Sequence, residues 1–411
     1  MVTFVFSNPR HHLDMMVPVA RILGARGVPY RFVSLAELRG FPTPSLAERL
    51  PGADVRRAIP RNVRRDPSVG AGLGTSGGAG AGRAARALAL LRRAARAAVW
   101  RAALGPRMRR LLGGTSVAVV PNDAAYPYAE LAAELGAQRV PFALLQEGIR
   151  FPLPAEDAAG LAYGKGGAAA VCAWGEASAE HFRAIGVPAA AIHVTGSPRF
   201  DGVSPEAWQE RGRALAGALG LSREPLLYLS NTIDDQGFCT TAAKLALFTS
   251  FAREAAPVLA REGRALVVKL HPREDTAAFR RAAAALPDAP IHVLPLEAPL
   301  YAVLAMGRAA VVLASTVGLE AIAFGLPLGV LAIPGHGHVF EYVARGAAIG
   351  LAPGGIGAGV ARLLEAAPPP AAAPFLERHL AHRGQAAARI ADQLAALTTA
   401  PTAQTARTPS P

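Results

Sequence analysis

AVVLASTVGLEAIAFGLPLGVLAIP, residues Ala310 to Pro334, carries two apolar runs rich in Val, Leu and Ile around a short segment of helical character. It parses as strand, helix, strand. Between the first strand and the helix stand Ser315, Thr316, Val317 and Gly318, small residues that let a ligand approach unpaired backbone N–H groups at a helix start. Glu320 is the only formal charge of the stretch and follows within about one turn, where it reaches a sugar hydroxyl. Two plainer readings compete. Twenty-five mostly apolar residues are long enough for a membrane span, but Glu320 near the middle, three glycines and two prolines favour buried strands of a parallel sheet, which are almost continuously apolar. Read alone, Ser-Thr-Val-Gly is also no more than a helix cap.

The chain has 411 residues, more than one ordinary core accommodates, which divides it into two domains. Lys and Arg exceed Asp and Glu, 43 against 30, an excess that favours anionic partners. Aromatic residues are only 6%, and no basic–aromatic interleaving occurs, so a nucleic-acid partner is not expected. Phosphorylated metabolites and an anionic membrane surface fit better. The two cysteines, Cys172 and Cys239, lie far apart without metal-type spacing. The N-terminus starts directly with a strand and lacks the charged lead of a secretion signal, so a reducing, cytoplasmic location is expected, peripheral to the inner membrane face if the basic segment described below meets lipid.

Outward from the quoted stretch, strands and helices alternate along most of the chain. The first series has strands at 2–6, 29–35, 117–120, 141–145, 169–174 and 192–195. Its helices are expected at 15–24, from the loop 121–123 through Leu135 with Gly136 as terminator, and at 176–185. A polar loop, 7–14, precedes the first helix. From 41 to 82 the signal decays into Pro, Gly and Arg, and about 60–82 reads as a mobile surface loop. Residues 83–112 read as a basic helix interrupted near Gly105-Pro106, with Leu88, Leu91 and Val99 on one side; such a helix lies on anionic lipid or packs with solvated arginines. A Gly-Ser-Pro hinge at 196–198 leads into the second series, with strands at 226–230, 266–270, 291–294 and the pair in the quoted stretch, and a helix at 241–262. The expected organisation is an acceptor-side domain over 1–200, a nucleotide-donor domain over 201–374, a helix over 375–397 crossing back, and a disordered tail over 398–411. Strands alternating with helices imply an α/β protein with parallel sheets and function at the strand C-terminal ends.

Those ends carry the unusual polar residues. In the second half His271, held after a buried strand by Pro272, donates to a phosphate or ribose; Arg273 adds a charged fork or points to solvent. Ser315, Thr316 and the backbone at Gly318 face a diphosphate, and Glu320 a ribose diol. Ser197, in the hinge, joins this donor set. The first half offers acid–base groups: adjacent His11 and His12, of which one faces the cleft, Asp123 after one strand and Glu147 after the next.

The order of these motifs resembles the GT-B superfamily, in particular the branch of UDP-N-acetylglucosamine 2-epimerases and of capsule or teichoic-acid type glycosyltransferases. The resemblance runs from Asn8-Pro9-Arg10 through PND at 121–123, QEG at 146–148, VTGSPRFD at 194–201 and KLHPRE at 269–274 to STVGLEAIAFGLP at 315–327. It implies two doubly wound Rossmann-like domains facing across a cleft. It also implies that Arg10, Asp123 and Glu147 line the active site, and that His271, Ser315, Thr316 and Glu320 bind the donor nucleotide with His12 or Glu147 as base. Where the epimerases have His-Arg-Arg-Glu-Asn, this chain has Ser230-Asn231-Thr232-Ile233-Asp234, and His12 replaces a glutamate. Both departures count against epimerisation. The expectation is therefore a glycosyltransferase using a nucleotide-sugar or polyol-phosphate donor of UDP or CMP/CDP type as co-substrate, with a glycan or lipid-linked acceptor. No cofactor is expected, and no metal, since no Asp-x-Asp stands in a strand-end loop. An epimerase or hydrolysing epimerase is the first alternative and a non-catalytic nucleotide-sugar-binding protein the second.

Overall fold

Short apolar runs buried on both faces, such as Val-Ala-Val-Val at Val117–Val120 and Leu-Leu-Tyr-Leu at Leu226–Leu229, place the strands in the middle of two parallel sheets. The computed structural model describes residues 1–59, 94–150, 163–286 and 290–399. The first sheet contains β1 (Val2–Phe6), β2 (Tyr30–Ser34), β3 (Val55–Arg57), β4 (Val117–Val120), β5 (Phe142–Leu145), β6 (Ala170–Ala173) and β7 (Ile192–Val194), in the order β3-β2-β1-β4-β5-β6-β7. The second contains β8 (Leu226–Leu229), β9 (Leu266–Lys269), β10 (Ile291–Val293), β11 (Ala309–Val312), β12 (Leu328–Leu331) and β13 (Ile349–Leu351), in the order β10-β9-β8-β11-β12-β13. Every pairing is parallel, with Val2 opposite Tyr30 and Val117, and Ala309 opposite Leu226. In both sheets the chain first builds one flank and then returns past its first strand to build the other, so the strand ends beside β1/β4 and β8/β11 open as crevices.

The quoted stretch is β11, the helix Val317–Ala323 and β12. No helix among the described residues is long and apolar enough to cross a membrane. One core fills both sides of the second sheet, while two cores flank the first: Leu13, Val17 and Ala20 pack with Ala387, Ile390 and Leu394 on one face, and Trp100, Leu104, Met108 and Tyr128 line the other.

Several local expectations are corrected. The first helix begins at His11, not after Asp14, because Asn8 Oδ1 accepts from the Arg10 and His11 amides at 3.1 and 3.2 Å and caps the turn. Gly136 lies inside the helix Tyr128–Ala137, and Arg139, with φ 56°, takes the left-handed position beyond it. β3 lies where the signal decays: a half-exposed Val-Arg-Arg edge strand has no apolar run to betray it. Around Gly105-Pro106 the helix is not broken. A π-helical turn, Trp100–Leu104, runs into the helix Gly105–Leu111, and this wider turn accommodates Pro106, which has no N–H to donate. Trp100, Leu104 and Met108 face the core and Val99 is exposed. The expected loop at about 60–82 lies outside the described residues, as do the start of the basic helix and 400–411 of the tail; Thr398 and Thr399 close the last helix.

Residues 375–397 form two helices rather than one, Ala372–His379 and Ala386–Thr399, separated at His382 (φ 54°) and Gly384. Asp201 divides them. Its two carboxylate oxygens accept from the Ala386 and Ala387 amides at 3.0 and 2.7 Å, starting a new helix on the first sheet. Gly196, at φ +81°, lies so close to this crossing that an added Cβ would stand 2.3 Å from Ala381 O.

His379, at the end of the crossing helix, stacks on Phe375 with both ring nitrogens buried and without hydrogen-bond partners among the described residues; Glu341 Oε2 lies 3.7 Å away. Burial pushes it down to about 4. An unfolded histidine titrates near 6.5, so in the window from about 6.5 to 4 the unfolded chain takes up a proton that the fold refuses, and stability present above this window is lost as pH falls. His379→Phe removes that loss. Its stability relative to the parent, read from urea midpoints, should rise by about 2 kcal/mol between pH 7.5 and pH 5; an unchanged difference would contradict the burial of a neutral ring.

Candidate active site

At the end of β1, Ser7 and Asn8 turn their amides onto His12 Nδ1, both at 3.2 Å. Nδ1 is therefore an acceptor and the ring proton sits on Nε2, which donates to Glu147 Oε2 at 3.0 Å. Asn122 Nδ2 donates to the other oxygen of Glu147 at 2.9 Å. His12 is 1% exposed and Glu147 24% exposed, so the carboxylate faces the crevice and the imidazole holds it from behind. Burial alone would raise Glu147, but the hydrogen bonds from His12 and Asn122 outweigh it and keep the carboxyl well below the usual carboxylate range. His12 itself has no free lone pair, which excludes it as the proton acceptor in this arrangement. Asp123 is likewise committed: buried, it accepts from the Gly164 and Gly166 amides at 2.8 and 2.7 Å and anchors that loop instead of facing the crevice.

His11 points across the crevice. Its Nε2 donates to Glu147 O at 2.7 Å, leaving Nδ1 toward Arg199 Nη1 at 3.5 Å. Burial first, then the Arg199 charge, lowers His11 to about 4, so the ring is neutral near pH 7. Arg10 is exposed at the rim, and its charge contributes, after burial, to lowering Lys269 of the second half.

Arg199 is the residue that sequence reasoning left out of the site. It follows β7 in the hinge and pairs with Glu320 Oε1 of the second half, which also accepts from Tyr301 Oη at 3.4 Å. Glu320 is 0% exposed and Arg199 20%. Burial raises Glu320 and the Arg199 charge opposes that rise. Glu320 Oε2 is buried and without a partner among the described residues. The expectation of an open carboxylate is thus corrected: the inward face of a short helix buries Glu320, and a buried carboxylate requires a cation beside it. The signal for Arg199 was available, a charge in a strand-end loop at the hinge.

The turn of the quoted stretch closes on itself. Ser315 Oγ accepts from the Val317 amide at 3.2 Å and Ser315 O accepts from Tyr342 Oη at 3.1 Å. Gly318 leaves room for Tyr342, whose ring carbon Cζ would lie 2.6 Å from a Cβ there. Thr316 is half-buried and faces the first half, its Oγ1 3.7 Å from where a Cβ on Gly148 would stand. The Gln-Glu-Gly loop and the Ser-Thr-Val-Gly turn therefore meet across the crevice. Ser197 is buried, its hydroxyl unpartnered among the described residues and bonded to none of the donor set.

His271 keeps its place at the end of β9. Its Nδ1 accepts from the Arg273 amide at 3.2 Å, which leaves an Nε2–H donor. Burial, then the charges of Arg273, Lys269 and Lys244, lowers it to about 4. Arg273 is spent on its neighbours, donating to Thr232 Oγ1 at 3.1 Å and pairing with Asp235 at 3.3 Å. Beneath this loop Glu274 accepts from Ser230 Oγ at 2.8 Å and the His271 amide at 2.8 Å and pairs with Lys244 at 3.0 Å, while Lys244 also pairs with Asp234. Asn231 donates to Ala314 O at 2.6 Å. The segment 230–234 thus braces the β8, β9 and β11 ends. Glu274 was legible as part of the His-Pro-Arg-Glu motif; Lys244, in a helix interior, carried no signal. Among the described residues no group of three or more His, Cys, Asp or Glu side chains is placed to hold a metal ion.

No protein-family model and no curated protein matches the sequence. Solved structures do. UDP-GlcNAc 2-epimerase from Neisseria meningitidis, bound to UDP-GlcNAc, superposes with a TM-score of 0.63 at 14% identity over 96% of this chain and 99% of that one. The wall teichoic acid polymerase TagF gives 0.55 at 12% identity over 97% and 89%, and Anabaena HepE, in complex with UDP and glucose, 0.54 at 11% over 97% and 99%. At these identities the likeness is one of fold. The chain has the two-domain α/β architecture of GT-B glycosyltransferases and UDP-GlcNAc 2-epimerases.

Proposed function

We propose that the chain is a glycosyltransferase that takes a nucleotide-activated sugar, or a polyol phosphate, and acts in surface polysaccharide or glycoconjugate assembly. The observation that carries the reading is the meeting of Glu147 and His11 from one sheet with Thr316 and the Arg199–Glu320 pair across one crevice. Two of the neighbours that share this fold, the Neisseria meningitidis epimerase and Anabaena HepE, bind UDP-GlcNAc and UDP, which supports a UDP-type donor.

In this reading the neutral His271 offers its Nε2–H, and Thr316 its hydroxyl, to the donor phosphates; Arg199 supplies positive charge to the leaving group. Glu147, ionised and held by His12 and Asn122, receives the proton of an acceptor hydroxyl as the glycosidic bond forms and the nucleotide departs. An isomerase that turns over the donor alone is the second reading, favoured by the 0.63 superposition on an epimerase. Against it, the 230–234 segment is consumed by bracing bonds, and His12 Nδ1 and both Asp123 oxygens are occupied by backbone amides.

The two readings separate in one assay. Purified protein with UDP-sugars should release nucleotide only when a glycan or lipid-linked acceptor is supplied. Conversion of UDP-N-acetylhexosamine without acceptor would select the isomerase, and binding without turnover in either case would leave a nucleotide-sugar-binding protein.

A further inference from the structure

From Pro67 to Asn122 the sequence has no Asp or Glu and nine arginines, a local excess of positive charge. The described portion, residues 94–112, shows how that charge is presented. Trp100, Leu104 and Met108 turn into the core. The opposite side leaves Ala95, Val99 and Ala103 exposed, with Val99 at 53% the most exposed large apolar side chain among the described residues. Arg101 and Arg110 are exposed beside it and form no ion pair among the described residues. Arg109 pairs with Glu134 at 3.5 Å while 53% exposed. The segment therefore has two apolar sides, one spent on the fold and one facing outward with arginines at its edges.

We infer that this outward side is a docking surface for an anionic lipid bilayer. An apolar strip edged by guanidinium groups seats its small side chains among acyl chains while the arginines remain at the headgroup phosphates. RNA would use the arginines but gain nothing from Val99, and among the described residues this surface carries no exposed aromatic ring for stacking bases. The surface also lies near the crevice. Arg96 stands over the Tyr126 ring, 5.6 Å from its centroid, and Tyr126 belongs to the same loop as Asn122, which holds Glu147. A bilayer on this side brings its headgroups to the acceptor half of the crevice. Lipid binding itself does not depend on the transferase reading, and its test uses no turnover.

Flotation of the full chain with phosphatidylcholine vesicles, with and without 30% phosphatidylglycerol, tests the surface. At low salt at least tenfold more protein should float with the anionic vesicles, and 0.5 M salt should reverse most of that difference. The pair R101E/R110E should lose the anionic preference at least tenfold, and V99S should lower flotation severalfold, each with an unchanged melting temperature because the side chains are exposed. Equal flotation on both vesicles, unaltered flotation of R101E/R110E, or retention of a duplex RNA at concentrations where no vesicle binds would overturn the inference.

Discussion

Arg199→Ala is expected to cost the fold about 3–5 kcal/mol, the largest effect of any single substitution considered, because it strips the cation from a carboxylate that is wholly out of contact with water. The reverse change is milder. Glu320→Gln leaves Arg199, 20% exposed, to recover part of its hydration, and the amide keeps an acceptor for Tyr301. An asymmetry of about 2 kcal/mol or more in urea unfolding should separate the two variants. The deficit should also depend on pH. Without Arg199, Glu320 is a buried carboxyl raised above its unfolded value, so its stabilising, protonated form is present at low pH and lost as pH rises through the folded pKa. Arg199→Ala should therefore lie closer to the parent at pH 4.5 than at pH 7.5. Equal losses in the two variants, or a deficit independent of pH, would mean that Glu320 is not sealed behind Arg199.

Glu147→Gln is the second large effect. Acceptor-dependent release of nucleotide should fall about 10²–10⁴-fold, the range for loss of a positioned acid–base group, while donor binding should be unchanged because the proposed phosphate contacts, His271 and Thr316, lie on the other sheet. The amide is nearly isosteric and still accepts from His12 or Asn122, so the fold should survive. His12→Ala should reduce turnover by less: it loosens Glu147 without removing the carboxylate. A reading in which His12 accepts the proton requires the opposite order.

The architecture was legible because it is written in buried strands. Runs such as 117–120 and 226–229 are apolar throughout and short, and the alternation of such runs with helical segments admits few arrangements. What escaped were elements without that signature: the edge strand Val55–Arg57, and Ile349–Leu351, where Gly350 is packed under the His338 ring. The site was legible in its loops but not in its hydrogen bonds. Glu147 and His271 stand where strand ends were expected to present them. The roles of His12, Asp123, Arg273 and Gly318 changed because each is consumed by a neighbour that is remote in sequence or that competes locally: the 7–8 amides and Glu147, the 164–166 amides, Asp235, and Tyr342. Pairing of that kind is decided by tertiary packing, and no spacing rule reports it.

The same distinction explains Glu320. As the single charge in an apolar stretch it marked the helix correctly as special, but the charge that satisfies it arrives from the hinge, 121 residues earlier. The STVGLE segment is therefore half of a contact with the hinge as well as the edge of a crevice.

The central claim, that the crevice holds a nucleotide through the second sheet, is tested most directly by the melting temperature with UDP, CDP, ADP and GDP and with UDP-sugars. A ligand bound only by the folded protein at 100 times its Kd adds about 2.7 kcal/mol of stability. At least one uridine nucleotide should raise the melting temperature by several degrees in the parent, and His271→Ala, whose lost side chain braces no buried charge, should abolish most of that shift. No shift with any nucleotide at millimolar concentration, or a shift fully retained in His271→Ala, would contradict the account.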